Sequence, residues 1–217
     1  MVKPFLIVVL LGVLLSAGCS ERSDAPMDTA NADSASPLET VVSETELPSY
    51  DCDSVESGSI EAMICNDSEL AMLDRKLDQV YQTAVRSPKG KSDGLLKAGQ
   101  IGWIKGRNEC WKAEDKRACV LNNYQRRIAE LEASYSLVPG KGPVRYRCSE
   151  GEVTATYFQT DPPTAVAEFN GQKSLMFQQP SGSGARYQGR NESLWEHQGE
   201  ATVIWGHGAG EMRCKID

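Results

Sequence analysis

Val144-Arg145-Tyr146-Arg147-Cys148-Ser149-Glu150-Gly151-Glu152-Val153-Thr154-Ala155-Thr156-Tyr157 is where the chain changes character. Two runs alternate apolar and polar residues, Val144 to Cys148 and Val153 to Tyr157. A period of two is the signature of a strand with one buried face. Glu150-Gly151 between the runs reads as a turn. Turn signals recur downstream at Asn170-Gly171, at Gln188-Gly189 and across the glycine-rich residues 206–210, and Asn-Gly is a strong hairpin connection. Several short alternating strands in so short a span predict a small antiparallel β-barrel over residues 140–217.

Upstream, the period is helical. Leu70, Leu73, Leu77, Val80, Tyr81 and Ala84 lie on one face, and Asn66 with Glu69 three positions on reads as a capping box. Ser87-Pro88-Lys89-Gly90 breaks this run. A second helix fits Leu95, Leu96, Ile101, Trp103 and Ile104, although Gly99, Gly102 and Gly106 weaken it. A third fits Leu121, Tyr124, Ile128, Leu131 and Tyr135. These stripes are expected to be core, so residues 50–135 predict a small all-α domain.

The N-terminus is an address. Lys3 precedes an apolar run at residues 5–15, which ends in Leu15-Ser16-Ala17-Gly18-Cys19. Small residues before a cysteine match a bacterial lipoprotein signal, residues 1–19, with Cys19 as the lipidated residue that ties the chain to a membrane. Ser20 after Cys19 points to the outer membrane of a Gram-negative cell, facing the periplasm. Residues 20–49 carry seven acidic residues against Arg22 alone, and read as a disordered acidic linker. The formal charge of −7 therefore belongs mostly to this linker. The flanking domains are near neutral, which excludes a nucleic-acid footprint.

Of seven cysteines, six remain after Cys19. An even count in an exported chain predicts disulfides, and neighbouring pairs are the economical choice: Cys52–Cys65, Cys110–Cys119 and Cys148–Cys214. No C-x-x-C is present and His197 and His207 are the only histidines, so neither a zinc site nor another metal site is expected. A Cys148–Cys214 bond would join the first strand to the last and stabilise the barrel by roughly 4 kcal/mol.

Two constellations carry candidate function. In the helical part Asp74, Gln100, Trp103 and Arg107 could bind a ligand, but a small helical domain needs polar staples between its layers, and Arg107 is expected to pair with Asp74 or to cap a neighbouring helix. In the barrel, Ser181-Gly182-Ser183-Gly184-Ala185-Arg186-Tyr187 precedes Leu194-Trp195-Glu196-His197-Gln198-Gly199. Glycines let a backbone approach another surface closely, serine hydroxyls both donate and accept, and Tyr187, Leu194 and Trp195 can hold the loop from behind. No nucleophile–base pair accompanies the loop, so no catalytic residue, cofactor or small-molecule substrate is expected.

The spacing Cys65-x4-Leu70-x3-Asp74, Tyr81, Gln100-x2-Trp103-x3-Arg107-x2-Cys110, Cys119-x4-Tyr124-x2-Arg127-Ile128 resembles the N-terminal domain of the LprI family. Arg145-Tyr146-Arg147-Cys148, Ser183-Gly184-Ala185-Arg186-Tyr187, the Trp195 region, Gly199-Glu200-Ala201-Thr202-Val203 and Cys214 resemble the membrane-bound inhibitor of c-type lysozyme. The second resemblance implies an eight-stranded barrel that inserts its serine loop into the lysozyme cleft. Ser183 would bond the catalytic carboxylates, with Gly184, Ala185, Arg186, Tyr187 and Trp195 around it. A lysine two residues after the tryptophan adds an ionic contact in that family. Here His197 stands in its place, Gln198 lengthens the segment by one residue, and Leu194 replaces the usual phenylalanine. The expected function is an envelope lipoprotein that inhibits c-type lysozyme. The alternative is a structural or assembly lipoprotein with a generic protein-binding barrel.

Overall fold

The computed structural model describes residues 47–217. Cys19, the signal and residues 20–46 of the acidic segment lie outside the described residues.

Among the described residues, five α-helices precede eight strands. They are α1 (Ile60–Cys65), α2 (Ser68–Arg86), α3 (Pro88–Ser92), α4 (Leu96–Asn108) and α5 (Lys116–Ser134). The cap of α2 is Asp67 rather than Asn66: its carboxylate accepts from the backbone N–H groups of Glu69 and Leu70, both at 3.1 Å. Asn66 instead closes α1. A short helix directly upstream shifts the start of α2 by one residue. Arg117 of α5 donates to the same Asp67 carboxylate at 2.7 Å, and this bond holds its pKa below the ordinary range.

The helical core contains Ile60, Ile64, Leu70, Leu77, Ala84, Leu96, Val120, Tyr124, Ile128 and Leu131. The α4 stripe is not all core, as the sequence periodicity had implied. Leu95, Ile101 and Ile104 are exposed, at 76%, 47% and 39%. The face of α4 turned inward is instead Leu96, Gln100, Trp103 and Arg107, whose 4-3-4 spacing defines one side of a helix; Ile101 and Ile104 fall on its flanks. Residues 47–49, assigned from composition to the linker, are folded onto this domain. Pro48 is buried, and both the N–H and the hydroxyl of Ser49 donate to Asp74 Oδ2, at 2.8 and 2.5 Å.

The strands are β1 (Gly140–Cys148), β2 (Gly151–Phe158), β3 (Thr164–Phe169), β4 (Gln172–Gln179), β5 (Ala185–Gln188), β6 (Glu192–His197), β7 (Glu200–Trp205) and β8 (Glu211–Ile216). They form a closed antiparallel barrel in sequence order. Its seam pairs Cys148 with Cys214, the positions joined by one disulfide. Two further disulfides, Cys52–Cys65 and Cys110–Cys119, staple the helical domain. Asn170-Gly171 makes the β3–β4 hairpin with φ of 50° and 76°, the left-handed pair that a two-residue turn demands. Gln198-Gly199 makes the β6–β7 hairpin in the same way, with φ of 51° and 83°. Tyr146, Val153, Ala155, Ala165, Met176, Tyr187, Leu194 and Val203 fill the interior.

Because each strand follows its neighbour, the connections alternate between two rims. Loop 159–163, loop 180–184, hairpin 198–199 and the entry of the chain from α5 all belong to one rim.

Candidate functional site at the barrel rim

Loop 180–184 leaves β4 and enters β5, and its backbone is fixed from three directions. Gly184 has φ +67°, and a Cβ there would lie 2.0 Å from the carbonyl oxygen of Glu196. Only glycine permits both the left-handed turn and this close approach to β6. The indole N–H of Trp195 donates to the Ser183 carbonyl at 3.0 Å. The Ser181 hydroxyl donates to the same carbonyl at 2.7 Å. By contrast a Cβ at Gly182 would meet nothing.

The two serines therefore differ. Ser181 spends its hydroxyl inside the loop. Ser183 is exposed, and its hydroxyl makes no hydrogen bond to another described residue. Ala185 lies opposite Glu196, and the exposed Arg186 lies opposite Trp195 on the outer face. Trp195 is 42% exposed. His197 points outward on the same strand, its ring stacked toward Trp195 at 6.3 Å between centroids, and it pairs with Glu200 across the Gln198-Gly199 hairpin. The added Gln198 thus completes a two-residue turn. Tyr187 faces the barrel interior, where its ring lies 5.2 Å from Tyr157. With Leu194 it supports the loop from within the core.

Below the loop sits a polar cluster that periodicity did not single out. Tyr146 donates to Glu196 Oε2 at 2.6 Å and Tyr157 donates to it at 3.2 Å, with the two phenol oxygens 2.6 Å apart. Burial and the adjacent carboxylate raise both phenol pKa values, so both remain donors. The sequence signal was the inward parity of Glu196 with Leu194, two residues apart on an alternating strand.

In the helical domain, the structure brings Asp74, Gln100, Trp103 and Arg107 to the wall of a cleft of about 360 Å³ between α2 and α4. Asp74, Trp103 and Arg107 already spend their polar atoms within the domain. Tyr124 donates to Asp74 at 2.7 Å and accepts from Arg107 at 2.7 Å. Arg107 also reaches Glu61 at 2.7 Å, and Gln100 accepts from Arg127 at 3.1 Å. Arg107 and Asp74 are joined mainly through Tyr124, since their direct separation is 4.0 Å. This is a staple that links α1, α2, α4 and α5.

Residues 52–136 match the family model described as lysozyme inhibitor LprI. Residues 146–212 match that of the membrane-bound lysozyme-inhibitor of c-type lysozyme. The chain is 34% identical over 182 residues to the lipoprotein LprI of Mycobacterium bovis and, equally, to that of Mycobacterium tuberculosis, covering 82% of this chain and 90% of each relative. No solved structure gives a significant match. With both folded segments matched in order and most of each relative's length aligned, the chain belongs to the family of the lipoprotein LprI.

Proposed function

We propose that this protein is a membrane-anchored envelope inhibitor of c-type lysozyme, and that it acts by placing loop 180–184 in the enzyme's cleft. The family supports an inhibitory lipoprotein. The observation that carries the loop assignment is the Ser183 hydroxyl: exposed, without a partner among the described residues, and presented by a backbone that Trp195 and Gly184 hold in place.

Lysozyme cleaves with two carboxyl groups, a protonated general acid and a charged partner. A hydroxyl seated between them can donate to one and accept from the other, satisfying both while it excludes the sugar. A loop already ordered before binding loses little conformational entropy on insertion. Arg186 and Trp195 then cover the rim of the contact. His197 stands where the inhibitor family places a lysine and offers a second, weaker contact to the charged carboxylate. Nothing in this mechanism requires catalysis by the inhibitor. The lipid on Cys19 supplies the anchor, and Ser20 supports an outer-membrane location facing the periplasm.

The test is peptidoglycan lysis by hen-type lysozyme in the presence of the purified full chain, with direct binding measured by calorimetry. Stoichiometric binding with loss of lysis is expected. Unimpaired lysis with no binding would overturn the proposal.

A further inference from the structure

Three residues of the barrel face outward and are nevertheless buried. Phe158, Thr164 and Phe177 form one cross-strand row on β2, β3 and β4. Their chain neighbours Tyr157, Ala165 and Met176 belong to the interior cluster, so strand alternation turns the row away from the interior. Their exposures are only 5%, 0% and 9%. On α5, Ala129 and Ala133 are likewise buried, at 0% and 1%, without belonging to the helical core. Helix α5 packs along β3, and the Arg126 guanidinium lies 3.8 Å from the centroid of the Phe177 ring. Positions 126, 129 and 133 share one helical stripe. The helical domain thus covers the outer face of the barrel beside the rim that carries loop 180–184.

The covered row leads into the loop. Phe177 is followed by Gln178 and Gln179 and then by Pro180, where the loop begins. The N–H of Gln178 donates to the Pro163 carbonyl in the neighbouring rim loop at 2.8 Å. The loop accordingly has two legs. Trp195 holds it from β6, and α5 holds the β4 leg through Phe177.

We propose that α5 is a positioning element of the inhibitory loop: the docking of Arg126, Ala129 and Ala133 on Phe158, Thr164 and Phe177 fixes the direction in which β4 enters loop 180–184, so that lysozyme binding by the barrel depends on the helical domain. This rests on the loop reading given above. It gives the helical domain a role in the contact without requiring it to touch the enzyme. Loss of preorganisation at a binding loop acts on affinity as well as on stability.

The experiment uses the full chain and five variants, with affinity for hen-type lysozyme, hydrogen exchange at the amides of residues 181–184, and Tm as readouts. Ala129→Glu wedges the interface open. It should weaken binding on the order of tenfold and speed exchange in the loop. Tyr124→Phe removes a hydroxyl from the helical core without touching the interface. It should lower Tm yet leave the dissociation constant within about twofold of the parent. Arg126→Ala, at an exposed position that leaves both cores intact, should weaken binding by about threefold, with partial rescue in Arg126→Lys. That arm keeps the test decisive if Ala129→Glu does not fold. Parent-like affinity and parent-like loop exchange in both interface variants would overturn the proposal. Parent-like affinity in Ser183→Ala would instead overturn the loop reading beneath it.

Discussion

The indole of Trp195 donates to the backbone carbonyl of Ser183 at 3.0 Å, across twelve residues of sequence. The bond spends the carbonyl and leaves the hydroxyl of the same residue facing solvent. Gly184, the next residue, is packed against the backbone of β6 at a distance no side chain tolerates. Between them, these two contacts make the loop a fixed projection.

The two loop glycines should respond differently to alanine. Gly184→Ala would force a Cβ against the Glu196 carbonyl at positive φ, and should destabilise the barrel by about 2 kcal/mol or more. Lysozyme affinity should fall with it. Gly182→Ala meets open space within the chain and should change Tm little. Thermal melts and titrations of both variants check this, and equal effects would contradict the geometry described for Gly184.

His197→Lys places a permanent charge at the outward position beside Trp195. Binding to lysozyme should tighten by a few-fold, about 1 kcal/mol at most for a rim contact, and the gain should shrink at high salt. An unchanged dissociation constant at low salt would mean that hairpin 198–199 turns this position away from the enzyme's carboxylates.

Tyr124→Phe should cost about 1–3 kcal/mol of stability, because Asp74 and Arg107 each lose a buried hydrogen-bond partner. Chemical denaturation measures the loss. A neutral outcome would mean that water or Ser49 replaces the phenol at Asp74.

Glu132 gives the chain a pH signature. Burial raises its pKa above the ordinary 4.5, Lys76 pulls it back and Asp161 raises it further. A carboxyl with a raised folded value contributes stability below its unfolded pKa, and the contribution is lost as pH rises through the folded value. Glu132→Gln should therefore raise Tm at pH 7, and the difference should vanish or reverse near pH 4. A Tm difference that does not vary with pH would remove Glu132 as its source.

Much of this architecture was legible in the sequence. Alternation at residues 144–148 and 153–157 and the Asn170-Gly171 turn pointed to the barrel. Apolar spacing located α2 and α5 within a few residues. Helix α1 escaped because six residues carry too little periodicity to register. The β6–β7 turn escaped because glutamine is an uncommon residue at positive φ, so Gln198-Gly199 reads weakly beside Asn-Gly. The loop's glycines and serines were evident, but Ser181 and Ser183 separate only once the register sets Trp195 beside one carbonyl. The α5 stripe of Arg126, Ala129 and Ala133 was hidden for a similar reason. Small residues between polar ones look like a solvent face until a second domain covers them.

The most direct measurement compares the dissociation constants of Ser183→Ala and Ser181→Ala for hen-type lysozyme in the full chain. Ser183→Ala should lose roughly 2 kcal/mol of binding with an unchanged Tm, since its hydroxyl has no hydrogen-bond partner among the described residues. Ser181→Ala should lose less, through a looser loop. An equal or larger loss at Ser181, or none at Ser183, would contradict the assignment of Ser183 as the group that enters the enzyme's cleft.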